Sequence, residues 1–362
     1  MPELAEIVRR HGPEYLRRFG ERVPAGHRRA LRALGRCRTP ALGGHLYRCG
    51  ACARTHFGWH SCNHRSCPQC GAADAVAWRV RQQRDLLPVP YFLVTFTLPD
   101  ELRALCRAHP RLGYTLLFRE SAGTLQEIAA NPRHLGAELG FLGVLHTWTR
   151  QLGYHPHVHY VVPGGGLRAD GRKWRKCRTL KDGTPYLLPV QVLSRRFRTR
   201  IAQALRTGAP ELFREVPRAV WSKEWVVHSQ PAGRGQEAIG YLSAYVQRTA
   251  LSNQSLLSDQ DGQVTFAYTE NGTGARKTLT LDALEFLRRV LSHVLPTGLH
   301  KVRYFGWLHP NARKRLAKVQ TLLAAPLDLR TPPADPPAHL ICPACGKPAL
   351  QIVGRLPPSR AP

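Results

Sequence analysis

Along Tyr154-His-Pro-His-Val-His-Tyr-Val-Val162, histidine recurs at every second position, as His155, His157 and His159. Alternate side chains of a β-strand share a face, so the three imidazoles project to one side while Val158 and Tyr160 face the other. Two imidazoles two residues apart on a rigid strand are preset to grip one divalent ion, and the apolar residue between them ties the strand to the core. Single core histidines are common; three on one face call for a shared purpose. A second reactive set lies in Gly240-Tyr-Leu-Ser-Ala-Tyr-Val-Gln-Arg248. On a helix, Tyr241 and Tyr245 are i and i+4 and share a face, with Arg248 close to the same stripe. Such a pair also suits a core or an interface. To act as a nucleophile a phenol needs help, because its pKa of about 10 leaves it protonated at neutral pH.

Ten cysteines form a third set, six of them between Cys37 and Cys70, with Cys106 and Cys177 isolated and Cys342 and Cys345 near the end. With no secretory signal at the N-terminus, the cytoplasm is the expected compartment, and clustered CxxC pairs there read as metal ligands rather than disulfides. The expected pairing joins Cys49-Gly-Ala-Cys52 to Cys67-Pro-Gln-Cys70 across fourteen residues, as one closed tetrahedral four-sulfur shell for a structural zinc. Cys37, His45, Cys62 and His64 lie in the same stretch and offer a second site. The knuckle in His339-Leu-Ile-Cys-Pro-Ala-Cys-Gly346 is half a site. It needs His339, a residue from elsewhere or a partner chain, and a short turn without metal is the alternative.

These residues must be positioned by a chain of 362 residues, long enough for two or three domains. Its 53 Lys plus Arg against 24 Asp plus Glu give a formal charge of +29, the footprint of a protein that meets a polyanion. At 43% hydrophobic residues with seven Trp it is not globally disordered, and no apolar run approaches the ~20 residues of a membrane span. Residues 1–35 read as basic amphipathic helices, with Pro13 and Pro24 at first-turn positions. Residues 37–71 read as a metal module and 72–87 as a linking helix. Strands are expected at Tyr91–Leu98, Leu139–Trp148 and Tyr154–Val162, helical periodicity at 101–130, 192–207 and 282–295, and hairpin turns at Asp261-Gly262 and Asn271-Gly272. The expected class is α+β, a central antiparallel sheet flanked by helices. Its expected segments are 1–87 (basic helices and zinc-binding domain), 88–325 (catalytic domain) and 326–362 (Pro-rich linker and CxxC tail).

In this order the motifs resemble the HUH transposases of rolling-circle insertion sequences, the tyrosine type with an N-terminal zinc-binding domain (the insertion sequence ninety-one type). His157-Val158-His159 matches the histidine–hydrophobic–histidine element. Tyr241 to Asn253, YLSAYVQRTALSN, resembles the tyrosine helix and the turn after it. Ser61 to Cys70 resembles the zinc motif, and His293 to Gly306, with Gly298-Leu-His-Lys-Val-Arg303 and Tyr304-Phe-Gly306, the C-terminal signature. Ser66 and Gln247 stand where histidine is frequent. Histidines ahead of tyrosines is the order of replication initiators and transposases; conjugative relaxases place the tyrosine first.

The resemblance implies an HUH nuclease domain that nicks and rejoins single-stranded DNA through a 5′-phosphotyrosine, with a divalent cation (Mg or Mn) held by His157 and His159 and by either His155 or Gln247. Tyr241 is the expected first nucleophile, and Tyr245 either serves as the second or only packs. No GxxxxGK[ST] phosphate loop is present, in keeping with strand joining that needs no nucleotide. Between Arg172 and Arg200 ten Lys or Arg face a single acid, Asp182. Within this run Arg172, Lys173, Arg175 and Lys176 surround Trp174, the usual composition of a single-strand groove; a solvated basic face is the alternative. Expected partners are DNA, as single-stranded element ends and target, with a homo-oligomer left open and no membrane. Two other functions stay in view: a plasmid or phage rolling-circle replication initiator, and a zinc-containing DNA-binding protein without catalysis.

Overall fold

In the computed structural model, which describes residues 2–70, 72–246, 251–270, 272–325 and 341–359 (for 72–75 and 243–246 the backbone alone), the histidine strand is the middle of a five-stranded sheet. Its strands are β1 (Tyr91–Thr97), β2 (Gly140–Trp148), β3 (Tyr154–Pro163), β4 (Val227–Pro231) and β5 (Val302–Gly306). Spatially they run β4-β1-β3-β2-β5, with every neighbouring pair antiparallel. The class is therefore α+β, as expected. Alternation along β3 divides its side chains between two layers. Val158, Tyr160 and Val162 enter a core with Phe96, Phe141 and Leu145, closed by α1 (Pro110–Ala130) and α2 (Val190–Gly208) through Leu117, Phe118, Phe197 and Ile201. Edge-on ring contacts of Tyr160 with Phe96 (5.9 Å) and Phe141 (5.2 Å) fill it.

The opposite face receives Leu142, Val144 and Val161, covered by Ala238, Ile239 and Leu242 of α3 (Gln236–Val246) and by Trp78, Trp307 and Val319. Trp307 lies so close over Gly140 that a Cβ there would fall 2.3 Å from its ring. This is the face that bears His157 and His159, so one layer sandwiches the histidines between sheet and tyrosine helix. The helical stretch expected at 101–130 is interrupted: Leu102–Ala108 is one helix, and Pro110 begins α1, its missing N–H harmless in a first turn.

Contacts gather the chain into two units, one comprising Asp74–Ala250 and Leu295–Leu327 and holding this sheet, the other Met1–Ala73, Leu251–Val294 and Asp328–Pro362. The second unit departs from the three consecutive segments read from sequence. Residues 251–294 group with the N-terminal helices rather than with the sheet: the helix Leu4–Phe19, with Leu4, Ile7, Val8 and Tyr15 buried, packs against both Ala25–Arg36 and Ala283–Leu291. Asp259 is buried and fixed by Arg10 Nη1 at 2.8 Å and His11 Nε2 at 2.7 Å, and the Leu4 N–H donates to Asn253 Oδ1. Its hairpin turns at Asp261-Gly262, both residues in the left-handed region, as the sequence predicts. Pro13 lies within the helix Leu4–Phe19, not in its first turn, whereas Pro24 directly precedes Ala25–Arg36. The tail strand Leu350–Leu356 pairs antiparallel with Gly44–Cys49, which pairs in turn with Thr55–Trp59. Among the described residues no helix is long and apolar enough to cross a membrane.

Candidate metal and nucleophile site

Three imidazoles meet on the tyrosine side of the sheet: His157 and His159 from β3 and His146 from β2, their ligand nitrogens within 4.8 Å of one another. The ring centroids are 4.5 Å apart for His146 and His159, 4.8 Å for His157 and His159, and 5.2 Å for His146 and His157. Two of the rings are held from behind. His157 Nδ1 lies 2.7 Å from the His155 carbonyl oxygen, which can only accept, so Nδ1 carries the proton and Nε2 keeps its lone pair. His159 Nδ1 lies 2.8 Å from Thr95 Oγ1, directly across on β1. Such partners orient a ligating imidazole and set its tautomer. Burial pushes the His157 pKa down to about 4 and that of His159 to about 3, and lowers His146 well below the ordinary value. All three are neutral at pH 7, with no proton to compete for the lone pairs. Convergent, oriented, neutral imidazoles fit a divalent cation.

His155 is not part of this group. Its Nδ1 is engaged by Arg103 Nη2, and Arg103 also pairs with Asp100. The third imidazole is His146, and a β-bulge explains the difference. Trp148 pairs with Tyr154, which would set Pro156 opposite His146. The register shift between His146 and Trp148 sets His157 there instead, and directly opposed residues share a face. Local spacing places His146 on a strand but cannot supply that register. Two further residues of the site receive no role from the sequence motifs, although Lys301 falls within the C-terminal signature. Lys301 Nζ sits 4.7 Å from the centroid of Trp148, and Trp148 stacks on His146 at 5.4 Å and 15°. A cation over the ring's face is attracted by its quadrupole. After burial and the two other histidines, Lys301 also holds down the proton affinity of His146. Thr95 is the other.

Tyr241 comes from α3. With Ile239 and Leu242 buried against the sheet, the helix turns Tyr241 to the rim, where its ring meets His159 edge-on at 5.9 Å and stays 41% exposed. Tyr245 belongs to α3 by its backbone, but its side chain, like Gln247 and Arg248 altogether, lies outside the described residues.

The cysteines pair differently from expectation. Cys67 and Cys70 gather with Cys37 and Cys62, while Cys49 and Cys52 gather with Cys342 and Cys345. In the first group Cys37 to Cys70 is 3.5 Å, Cys37 to Cys67 3.6 Å and Cys62 to Cys70 3.7 Å between sulfurs. Zinc–sulfur bonds of about 2.3 Å in a tetrahedron put sulfurs about 3.8 Å apart, far beyond a disulfide's ~2.05 Å, so this set fits a structural zinc. Burial pushes the Cys37 thiol up to about 11, and a bound cation would favour its thiolate. Sequence spacing favours matched CxxC pairs; Cys37 instead arrives from the end of the helix Ala25–Arg36. His45 and His64 belong to neither group.

Arg172, Lys173, Arg175 and Lys176 are exposed on the sheet-bearing unit, as a phosphate-binding run requires. Trp174 is not the open stacking ring expected of it. It is half-buried, packed 5.8 Å from Trp307 and laid against Gly165, where the strand Trp174–Lys176 pairs with Gly165–Leu167, while Arg175 and Lys176 are exposed.

Comparison with known proteins gives two family matches: residues 140–315 to a family described as "Putative transposase", and residues 7–98 to "Transposase zinc-binding domain" of the IS91 type. The chain is 40% identical over 355 residues to "Putative transposase y4qJ" of Sinorhizobium fredii (strain NBRC 101917 / NGR234), covering 91% of this chain and 87% of that protein. It is 30% identical over 285 residues to "Transposase for insertion sequence element IS801" of Pseudomonas savastanoi pv. phaseolicola, covering 75% of this chain and 68% of that protein. No solved structure matches.

Proposed function

Since the chain belongs to the IS91-type insertion-sequence transposases, we propose that it nicks and rejoins single-stranded DNA through a 5′-phosphotyrosine in rolling-circle transposition. The observation that carries this reading is the Tyr241 ring at the rim of the three-histidine cluster, 5.9 Å from His159. His146, His157 and His159 would hold a divalent cation, Mg or Mn, with imidazole favouring Mn. When bound, that ion supplies Lewis-acid polarisation of a phosphate oxygen. The protein supplies the rest. Tyr241 Oη attacks phosphorus in line, the P–O3′ bond breaks, the phenol proton passes to solvent, and the leaving 3′-oxygen takes a proton from solvent to become a hydroxyl. The phosphodiester bond is conserved as a phosphotyrosine, so a returning 3′-hydroxyl can reverse the step with no nucleotide. Tyr245 would give a second covalent link on the same helix.

The test is a denaturing gel of purified protein, single-stranded terminal DNA and Mn²⁺, which should show a covalent protein–DNA adduct. Tyr241→Phe combined with Tyr245→Phe should abolish it; an adduct that survives both changes would rule the mechanism out.

Binding is assigned to the exposed cations. Neutralising Arg172, Lys173, Arg175 and Lys176 to glutamine should weaken single-strand binding and flatten its salt dependence, by up to about 0.7 in log–log slope for each phosphate no longer neutralised. A salt titration reads this, and an unchanged slope would make the run a solvated face. Trp174→Ala should act on thermal stability rather than on base stacking, since its ring packs on Trp307.

A further inference from the structure

The C-terminal CxxC lies beyond both matched family regions. We infer that Cys49, Cys52, Cys342 and Cys345 bind a second structural zinc that clasps the C-terminal tail onto the N-terminal hairpin. The protein then carries two zinc ions per chain.

Three independent features converge on this. The first is sulfur geometry: Cys49 to Cys345 and Cys52 to Cys342 are each 3.7 Å, the edge length of a tetrahedral zinc shell and too long for disulfides. The second is the match between the two knuckles. The Ala53 N–H donates to the Cys49 carbonyl at 2.9 Å and the Gly346 N–H to the Cys342 carbonyl at 2.8 Å, and Ala53 and Gly346 both take left-handed backbone, with φ of 59° and 70°. Ala53 tolerates that conformation at some cost, as a residue held by a surrounding constraint does. The third is a built seat for the tail. The Gly50 N–H donates to the Ala349 carbonyl at 2.8 Å, and Leu350–Leu356 then pairs along the whole of Gly44–Cys49. At Gly43, with φ of 69°, a Cβ would come within 2.6 Å of the Leu356 carbonyl oxygen, so the tail backbone fits only against glycine.

The chemistry of the set suits zinc and a closed site. All four ligating atoms are cysteine sulfurs, and they lie within 4.8 Å of one another. His56 Nε2 stands 3.3 Å from Cys342 Sγ, and in the Nε2-protonated tautomer it would donate to the thiolate from outside the shell. Four thiolates and no open position make the site structural rather than catalytic. The sulfur contacts join residues 290 and 296 apart in sequence, so the ion closes the chain upon itself and covers the edge of Gly44–Cys49 with the tail strand.

Native mass spectrometry of the full chain purified with zinc tests this without reference to activity. With His157→Ala and His159→Ala in every protein compared, so that the three-histidine site takes up no zinc, the chain with all its cysteines (the wild type of this set) should carry two zinc ions. Cys342→Ser with Cys345→Ser, and Cys49→Ser with Cys52→Ser, should each carry one, and in both the tail should become sensitive to limited proteolysis. Retention of the Cys37 group's zinc in both shows that the module still folds. One zinc in wild type, or two in the Cys342→Ser, Cys345→Ser protein, overturns the inference. Should either double variant not fold, Cys345→Ser at the exposed corner gives the same reading: one of two ions should pass to a chromogenic chelator at least about tenfold faster, and unchanged release overturns the clasp.

Discussion

Alanine at both His157 and His159 should cut metal-dependent nicking by about 10³-fold or more while leaving single-strand binding near that of wild type. The size follows from what is removed. Polarisation of the scissile phosphate by a bound divalent ion is worth several kcal/mol of transition-state charge stabilisation, and each ~1.4 kcal/mol is tenfold in rate. Two of the three converging imidazoles are lost, so added Mn²⁺ has no site to restore. Binding should survive because Arg172, Lys173, Arg175 and Lys176 are exposed and neither histidine is charged at neutral pH. Single-turnover cleavage and fluorescence anisotropy on the same oligonucleotide separate the two effects. Wild-type cleavage by the double variant would remove the ion from the mechanism; equal loss of binding would mean that the change had unfolded the sheet. The latter is not expected, since the apolar residues that hold β3 in place, Val158, Tyr160 and Val162, face the other layer.

How legible this site is depends on sequence distance. The spacing of His157 and His159 is a property of one strand, and strand alternation fixes their common face whatever else the chain does. Tyr241 follows in the same way from helical phase, with Ile239 and Leu242 marking the buried side. Features that depend on pairing are not legible. Whether Cys49 and Cys52 meet Cys67 and Cys70 or Cys342 and Cys345 is decided by the strand Leu350–Leu356 finding Gly44–Cys49, and local spacing says nothing of a partner 290 residues away. The same limit applies to residues 251–294, whose turn at Asp261-Gly262 is readable locally while its packing through Asp259 to Arg10 and His11 is not. Trp174 shows the reverse error. A basic run around an aromatic suggests a stacking platform, yet the ring packs against Trp307 and Gly165, contacts that the run itself does not announce.

The bulge in β2 makes the sharpest separation between the sequence reading and the structure. His146→Ala should weaken Mn²⁺ binding by at least 10- to 100-fold, as loss of an inner ligand should exceed the effect of losing a supporting contact, whereas His155→Ala should change it by less than about threefold. The two histidines differ in what their rings do. His146 is buried, 4.5 Å from the His159 ring and braced by the face of Trp148. His155 is half-buried and turned to Arg103, whose positive charge disfavours a second cation beside it. Removing His146 also leaves a hole under Trp148, so the variant should lose stability as well as metal. His146→Asn, which fills more of that space but is a weaker ligand for Mn²⁺, keeps the readings apart: melting should return toward wild type while affinity stays low. Manganese titration followed by electron paramagnetic resonance gives the affinities directly. Tight binding in His146→Ala with loss in His155→Ala would restore the ligand set that strand alternation alone suggests, and would require the register of β2 and β3 in solution to lack the shift between His146 and Trp148.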